Sequence, residues 1–140
     1  MNLDKPHNAV PALEIKNLSL SLGGTDILKD VSFDVPQGAF LSVVGPNGAG
    51  KTSLLRCIMG VITSWTGNIL VEGGPLDSYR RRNLARLLSY VPQTDEIVFP
   101  FTGRELVMMG RYPYLSPFTR PGRADLEAVD HTLEITGTAL

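Results

Sequence analysis

A single cysteine, Cys57, stands in the 140 residues, so the chain can close no internal disulfide and cannot build a cysteine-rich zinc site. Neither sign of charge is in excess: 13 Lys and Arg against 14 Asp and Glu leave a formal net charge of −1. That balance gives no support to binding of nucleic acid or of an anionic membrane through bulk electrostatics. No apolar run approaches the ~18 residues of a membrane-spanning helix. Met1–Pro11 carries Asp4, Lys5 and His7 where a secretory leader would need an apolar stretch. Internal repeats and low-complexity tracts are also missing. What is present is a 43% hydrophobic composition with five Phe and four Tyr, which excludes a disordered chain. At ~150 residues per domain this is one domain or a piece of a larger one. A chain of this length buries about two-thirds of its unfolded surface, so its core needs no metal or disulfide staple. The expectation is a soluble α/β domain of a reducing compartment.

Residues 1–12, with Pro6 and Pro11 among polar neighbours, read as a loose arm. From Leu13 the apolar residues Leu13, Ile15, Leu18, Leu20 and Leu22 alternate with polar ones, as in a half-buried strand. Gly23–Gly24 marks a turn, and Ile27–Val35 alternates again, so the two segments predict an antiparallel hairpin. After Pro36–Gln37–Gly38, the run Phe40–Val44 predicts a strand buried on both faces. Leu54, Leu55, Ile58 and Met59 then fall at helical spacing, with Gly60 placed to end the helix. Trp65–Asn68 reads as a turn and Asn68–Glu72 as a strand. Tyr79–Leu88 reads as a helix with Leu84, Leu87 and Leu88 on one face, and Leu88–Val91 as a strand that Pro92 stops. Phe99–Pro100–Phe101 is a rigid connector. Thr102 caps a helix reaching Met109, with Glu105 completing a capping box. Three prolines and two glycines make 111–122 a loop, and Ala124–Thr136 is an amphipathic helix bearing Leu126, Val129 and Leu133, stopped by Gly137.

The segment Gly45-Pro46-Asn47-Gly48-Ala49-Gly50-Lys51-Thr52 is a complete Walker A pattern, GxxxxGK[ST], followed by Ser53. Gly45, Gly48 and Gly50 lack a Cβ, so the loop can take positive φ and bring backbone N–H groups close to a phosphate. The helix that follows aims its unpaired first-turn N–H groups at the same anion. Lys51 reaches the β- and γ-phosphates as a point charge, Thr52 supplies a hydroxyl for Mg²⁺, and Ser53 is a further phosphate donor. A glycine-rich turn that binds nothing is the alternative, and the strand before and helix after the loop argue against it. By itself the motif specifies only a nucleoside triphosphate, and would suit a GTPase, a small-molecule kinase or a helicase equally well.

Beyond this loop, the chain from residue 13 to residue 140 resembles the ATP-binding cassette (ABC) family, the nucleotide-hydrolysing subunits of membrane transporters. The resemblance is carried by ILKDVSFDVPQG, by GPNGAGKTSLL and by SYVPQ ending at Gln93. It implies a P-loop NTPase of the α/β class, here an incomplete cassette: an antiparallel β subdomain, the start of a core sheet and part of a helical subdomain. It implies ATP and Mg²⁺ as cofactors, bound by Gly45 through Ser53. Lys51 and Gln93 would be the catalytic pair, with Thr52 and Gln93 on the Mg²⁺. The implied partners are transmembrane permease subunits, a second copy of the ATP-binding subunit and, indirectly, an external substrate-binding protein. The implied place is the cytoplasmic face of a bacterial-type membrane. FPFTGRELVMMGRYPY, Phe99–Tyr114, is similar to cassettes that serve importers of iron–siderophore complexes, haem and vitamin B12.

Two departures from the family pattern stand out. Leu22 occupies the position where the family usually stacks an aromatic side chain on adenine, a contact worth roughly 1–3 kcal/mol in single-strand nucleic-acid binders. The signature motif, the Walker B aspartate, the catalytic glutamate and the switch histidine are also not found between residues 1 and 140. Leu22–Asp26 is a hairpin turn, Ile69–Glu72 ends in a single acid, and His131 lies inside an amphipathic helix. The chain is therefore expected to be the N-terminal portion of an importer ATPase whose complete form hydrolyses ATP to drive import of an iron–siderophore, haem or cobalamin-type cargo, while residues 1–140 alone are expected to bind nucleotide without meaningful turnover. The alternatives are a truncated cassette that only binds nucleotide and a soluble, non-transport member. Arg80, Arg81, Arg82 and Arg86 form the sole basic cluster and read as a solvated helix face.

Overall fold

A computed structural model describes residues 10–92, 101–116 and 118–138. The chain divides into two compact units, Met1–Leu84 and Ala85–Leu140. Gln93 and the connector residues Phe99 and Pro100 lie outside the described residues, as do residues 1–9 of the expected arm.

The first unit is built on a four-stranded antiparallel sheet in the order β2-β1-β3-β4. Strand β1 (Leu13–Leu22) and strand β2 (Thr25–Val35) form the expected hairpin, with Leu22 opposite Thr25 across Gly23–Gly24. The alternation that predicts β1 is also the pattern of burial. Ile15, Leu18 and Leu20 are fully buried, and with Leu28, Ile69 and Val71 they form the core on which helix α1 (Lys51–Ile58) lays Leu54, Cys57 and Ile58. Gly60, at φ +66°, ends α1 as its spacing predicts.

Three segments differ from expectation. Trp65–Asn68 is not a turn but the first half of strand β3 (Trp65–Val71), paired antiparallel with β1. Between the pairs Lys16–Asn68 and Ser19–Thr66, β1 carries one residue more than β3. This β-bulge puts Asn17 at φ +51° and Gly67 at φ +100°. A Cβ on Gly67 would lie 2.4 Å from the Asn17 carbonyl oxygen, so the glycine that resembles a turn signal is there for close strand approach. Next, Phe40–Val44 and Leu88–Val91 form no strands. A strand exists only through hydrogen bonds to a neighbour, and none of the described strands pairs with either segment. Phe40, Val44 and Val91 are consequently almost fully exposed. Finally, the Tyr79–Leu88 helix is shorter than predicted. A 3-10 turn, Leu76–Ser78, follows the short strand β4 (Gly74–Pro75), and helix α2 runs over Arg81–Leu87 with only Leu84 buried.

The second unit holds helix α3 (Gly103–Met109) and helix α4 (Arg123–Ile135). Both halves of the predicted capping box form at α3. Thr102 Oγ1 accepts from the Glu105 N–H, and the Glu105 carboxylate accepts from the Thr102 N–H at 2.8 Å. Helix α4 buries Val129 and Leu133 and ends at Gly137, φ +67°.

Candidate functional site

The loop that precedes α1 takes its shape from two glycines and one lysine. Gly48 and Gly50 sit at φ +84° and +83°, in the left-handed region where a side chain is strained. Gly50 is also crowded: a Cβ there would lie 2.8 Å from the Ile27 carbonyl oxygen and 2.9 Å from Leu28 Cδ2. The missing side chain lets the end of the loop seat directly on β2. Around Gly48 there is nothing within 4 Å of the corresponding position, so this side of the loop is open.

The Lys51 ammonium donates to the carbonyl oxygens of Gly45 and Pro46, each at 2.7 Å. It therefore links the first residue of α1 to the first two residues of the loop. The first helical hydrogen bond of α1 runs from the Leu54 N–H to the Gly50 carbonyl, so Lys51, Thr52 and Ser53 precede it with no intrahelical acceptor for their N–H groups. No acidic side chain stands in the first turn of α1 to oppose an anion. Cationic Lys51, the helix dipole and glycines that admit close approach all favour a phosphate at this place. Thr52 is exposed in the first turn and offers a hydroxyl to a cation. Among the described residues no three His, Cys, Asp or Glu side chains converge as a metal-binding cluster.

Leu22 ends β1 at the hairpin tip, opposite Thr25. Leu20 pairs with Leu28, whose side chain is beneath Gly50, and Leu22 follows Leu20 by two residues, about 7 Å along the strand on the same face. Leu20 is buried, whereas Leu22 is 41% exposed at the hairpin tip. On the opposite face Ser21 Oγ donates to the Asp26 carboxylate at 2.6 Å, and Lys29 pairs with the same carboxylate. The Ser21 hydroxyl and then Lys29 hold the Asp26 carboxyl below its ordinary pKa. Cys57 is fully buried on α1, and desolvation raises its thiol pKa. Glu72, the acid at the end of Ile69–Glu72, stands in the turn after β3 at φ +48°, with its N–H bonded to the Ala12 carbonyl. His131 is exposed on α4.

A feature missing from the sequence reading is an arginine–tyrosine–aspartate cluster in the second unit. The Arg111 guanidinium carbon lies 4.3 Å from the centroid of the Tyr114 ring, and Arg111 Nε donates to Asp125 at 3.0 Å. Arg86 adds a second guanidinium 5.0 Å from the same ring and donates from Nε to the Pro113 carbonyl at 2.8 Å. Arg86 is thus an anchor for the 111–114 turn and not part of a purely solvated face. Its partners are distant in sequence and have no periodicity, so pattern alone could not reveal them.

A family model described as ABC transporter matches residues 28–138. The chain is 39% identical over 127 residues to a cobalamin import ATP-binding protein of Halobacterium salinarum, covering 91% of this chain and 31% of that protein. It is 34% identical over 126 residues to a petrobactin import ATP-binding protein of Bacillus anthracis, covering 90% and 46% respectively. Among solved structures, a transporter described as metal-chelate type superposes with a TM-score of 0.71 at 25% identity, over 92% of this chain and 46% of the other. The chain spans less than half the length of each of these relatives.

Proposed function

The chain belongs to the ABC transporter family, and from that membership we propose that it is the nucleotide-binding part of an importer ATPase. On this reading Gly45–Ser53 cradles the phosphates of ATP, with Lys51 leaving the Gly45 and Pro46 carbonyls for the β- and γ-phosphates and Thr52 holding Mg²⁺. Bound Mg²⁺ would neutralise the charge that develops on the γ-phosphate during transfer to water. Gln93 would serve that metal and the attacking water. The cassette would work as a homodimer at the cytoplasmic face of a membrane, docked on permease subunits and supplied by an external binding protein. Its cargo would be a metal chelate or corrinoid of the iron–siderophore, haem or cobalamin kind, as the names of the two relatives and the Phe99–Tyr114 segment both favour.

One observation carries the nucleotide assignment: a cationic side chain, an acid-free helix start and two left-handed glycines meet at a single loop. The test is binding of Mg²⁺–ATP to the chain, followed by phosphate release. Binding is expected, with Lys51→Ala weakening it at least about tenfold, because a charge-assisted contact to phosphate is worth roughly 1.5–3 kcal/mol. Phosphate release should stay at background, since the Walker B aspartate and catalytic glutamate that the family uses are not found between residues 1 and 140. Hydrolysis that Lys51→Ala abolishes would overturn this second expectation, and absence of any phosphate-dependent binding would overturn the first.

A further inference from the structure

We infer that the first unit carries a second small-molecule site, fitted to a zwitterion with a flat apolar body, of the aromatic amino-acid kind. It makes no use of the phosphate loop and is independent of the nucleotide proposal. A cavity of about 390 Å³ is lined by Trp65, the first residue of β3, and by residues of the turn that leads into α2. That volume lies in the range of ~300–1,000 Å³ typical of small-molecule sites. The buried side chains of Leu76 and Leu84 line it together with the half-buried rings of Trp65 and Tyr79. Tyr79 is a fixed wall. Its hydroxyl donates to the Val71 carbonyl at 2.8 Å, and Gly74 makes room for it, since a Cβ there would lie 2.5 Å from that hydroxyl. The Leu76–Ser78 turn is fastened as well, by Ser78 Oγ donating to the Pro75 carbonyl at 2.6 Å.

Trp65, Asp77 and Arg81 bring to these walls side-chain polar groups that are without partners among the described residues. Trp65 Nε1 is buried with nothing to accept its hydrogen, and so carries its desolvation penalty uncompensated. Asp77 and Arg81 are exposed in the cavity wall and take part in no hydrogen bond or ion pair. An apolar occupant would strip water from all three groups and return nothing. A simple anion would suit Arg81 but oppose Asp77, and a simple cation would do the reverse. A molecule with one carboxylate and one ammonium answers both charges. Its carboxylate also has a lone pair to spare for the indole N–H. The remaining walls, two aromatic rings and two leucines, favour a flat apolar body.

The test uses L-phenylalanine, phenylacetate and phenethylamine as probes on the full chain. Trp65 is the sole tryptophan of the sequence, so emission excited beyond the tyrosine absorption reports from the cavity wall. Phenylalanine is expected to change that emission saturably, and equilibrium dialysis of labelled phenylalanine should give the same affinity. Phenylacetate and phenethylamine, each lacking one charge, should bind about three- to tenfold more weakly. Arg81→Gln should weaken phenylalanine and phenylacetate by that factor without weakening phenethylamine. Asp77→Asn should weaken phenylalanine and phenethylamine without weakening phenylacetate. Both positions are exposed, so both variants should keep the fold. Trp65→Phe, followed by dialysis, should weaken phenylalanine through loss of the indole donor. No saturable response and no retained phenylalanine would overturn the site. Equal affinity for the three probes, or losses in the variants that ignore the charge of the probe, would overturn its preference for a zwitterion. An unaltered affinity in Trp65→Phe would overturn the part given to the indole.

Discussion

Arg111 is shared between two partners: its Nε donates to Asp125 at 3.0 Å while its guanidinium carbon rests 4.3 Å from the centre of the Tyr114 ring. Asp125 in turn accepts from the Gly122 N–H at 3.0 Å, at the start of α4. One carboxylate thus satisfies a helix end and holds the arginine that covers the tyrosine.

The Gly122 N–H first and Arg111 second hold the Asp125 carboxyl below its ordinary value of 3.8. A carboxyl whose folded pKa lies below its unfolded one contributes stability above the unfolded value and loses it as pH falls through the folded value. Stability should therefore decline as pH drops below about 4, and Asp125→Asn should flatten part of that decline. The check is urea unfolding from pH 6 down to pH 2.5 in both proteins. Identical slopes would mean that Asp125 does not contribute.

Gly50 and Gly48 share a backbone conformation but differ in surroundings. Gly48→Ala should cost about 1–2 kcal/mol, the penalty for the left-handed conformation by itself. Gly50→Ala should cost more, because the new methyl meets the Ile27 carbonyl and Leu28 and the loop must lift from β2. Equal losses in chemical denaturation would show that the loop is not seated as described.

Thr102→Ala removes the side chain that closes the capping box of α3. The expected loss is about 1 kcal/mol of stability, with helical signal reduced at the start of α3. Thr102→Ser should restore most of it, since the hydroxyl is retained. Comparable losses in both variants would exclude the cap as the cause.

Cys57 is shielded, and desolvation raises its pKa, so the reactive thiolate is scarce. A thiol reagent should label the native chain far more slowly than the chain in urea. Similar rates in both would mean that α1 does not pack its inner face on the sheet.

The parts legible in the sequence are those whose signal is local. Alternation gave β1 and β2, glycine and lysine spacing gave the loop before α1, and Thr102 with Glu105 gave the start of α3. Trp65–Asn68 misleads because a glycine at positive φ serves a turn and a bulge equally well. Only Asn17 on the facing strand distinguishes them, and no window of adjacent residues contains both. The floor under Gly50 and the Arg86–Tyr114–Arg111–Asp125 cluster were hidden for the same reason, since each joins side chains far apart in the chain. Phe40–Val44 shows the opposite failure: a correct strand composition does not make a strand without a neighbour to receive its hydrogen bonds.

That last segment also governs how the molecule behaves in company. The strand-prone residues from Phe40 to Val44, which lie in no strand of the described residues and have Phe40 95% and Val44 89% exposed, offer an apolar surface with no built-in preference for its own chain. Whichever extended segment arrives first becomes its neighbour, so the outcome is a race in which concentration sets the odds. Light scattering should climb with protein concentration, and a lysine in place of Val44 should slow that climb without touching the sheet of the first unit.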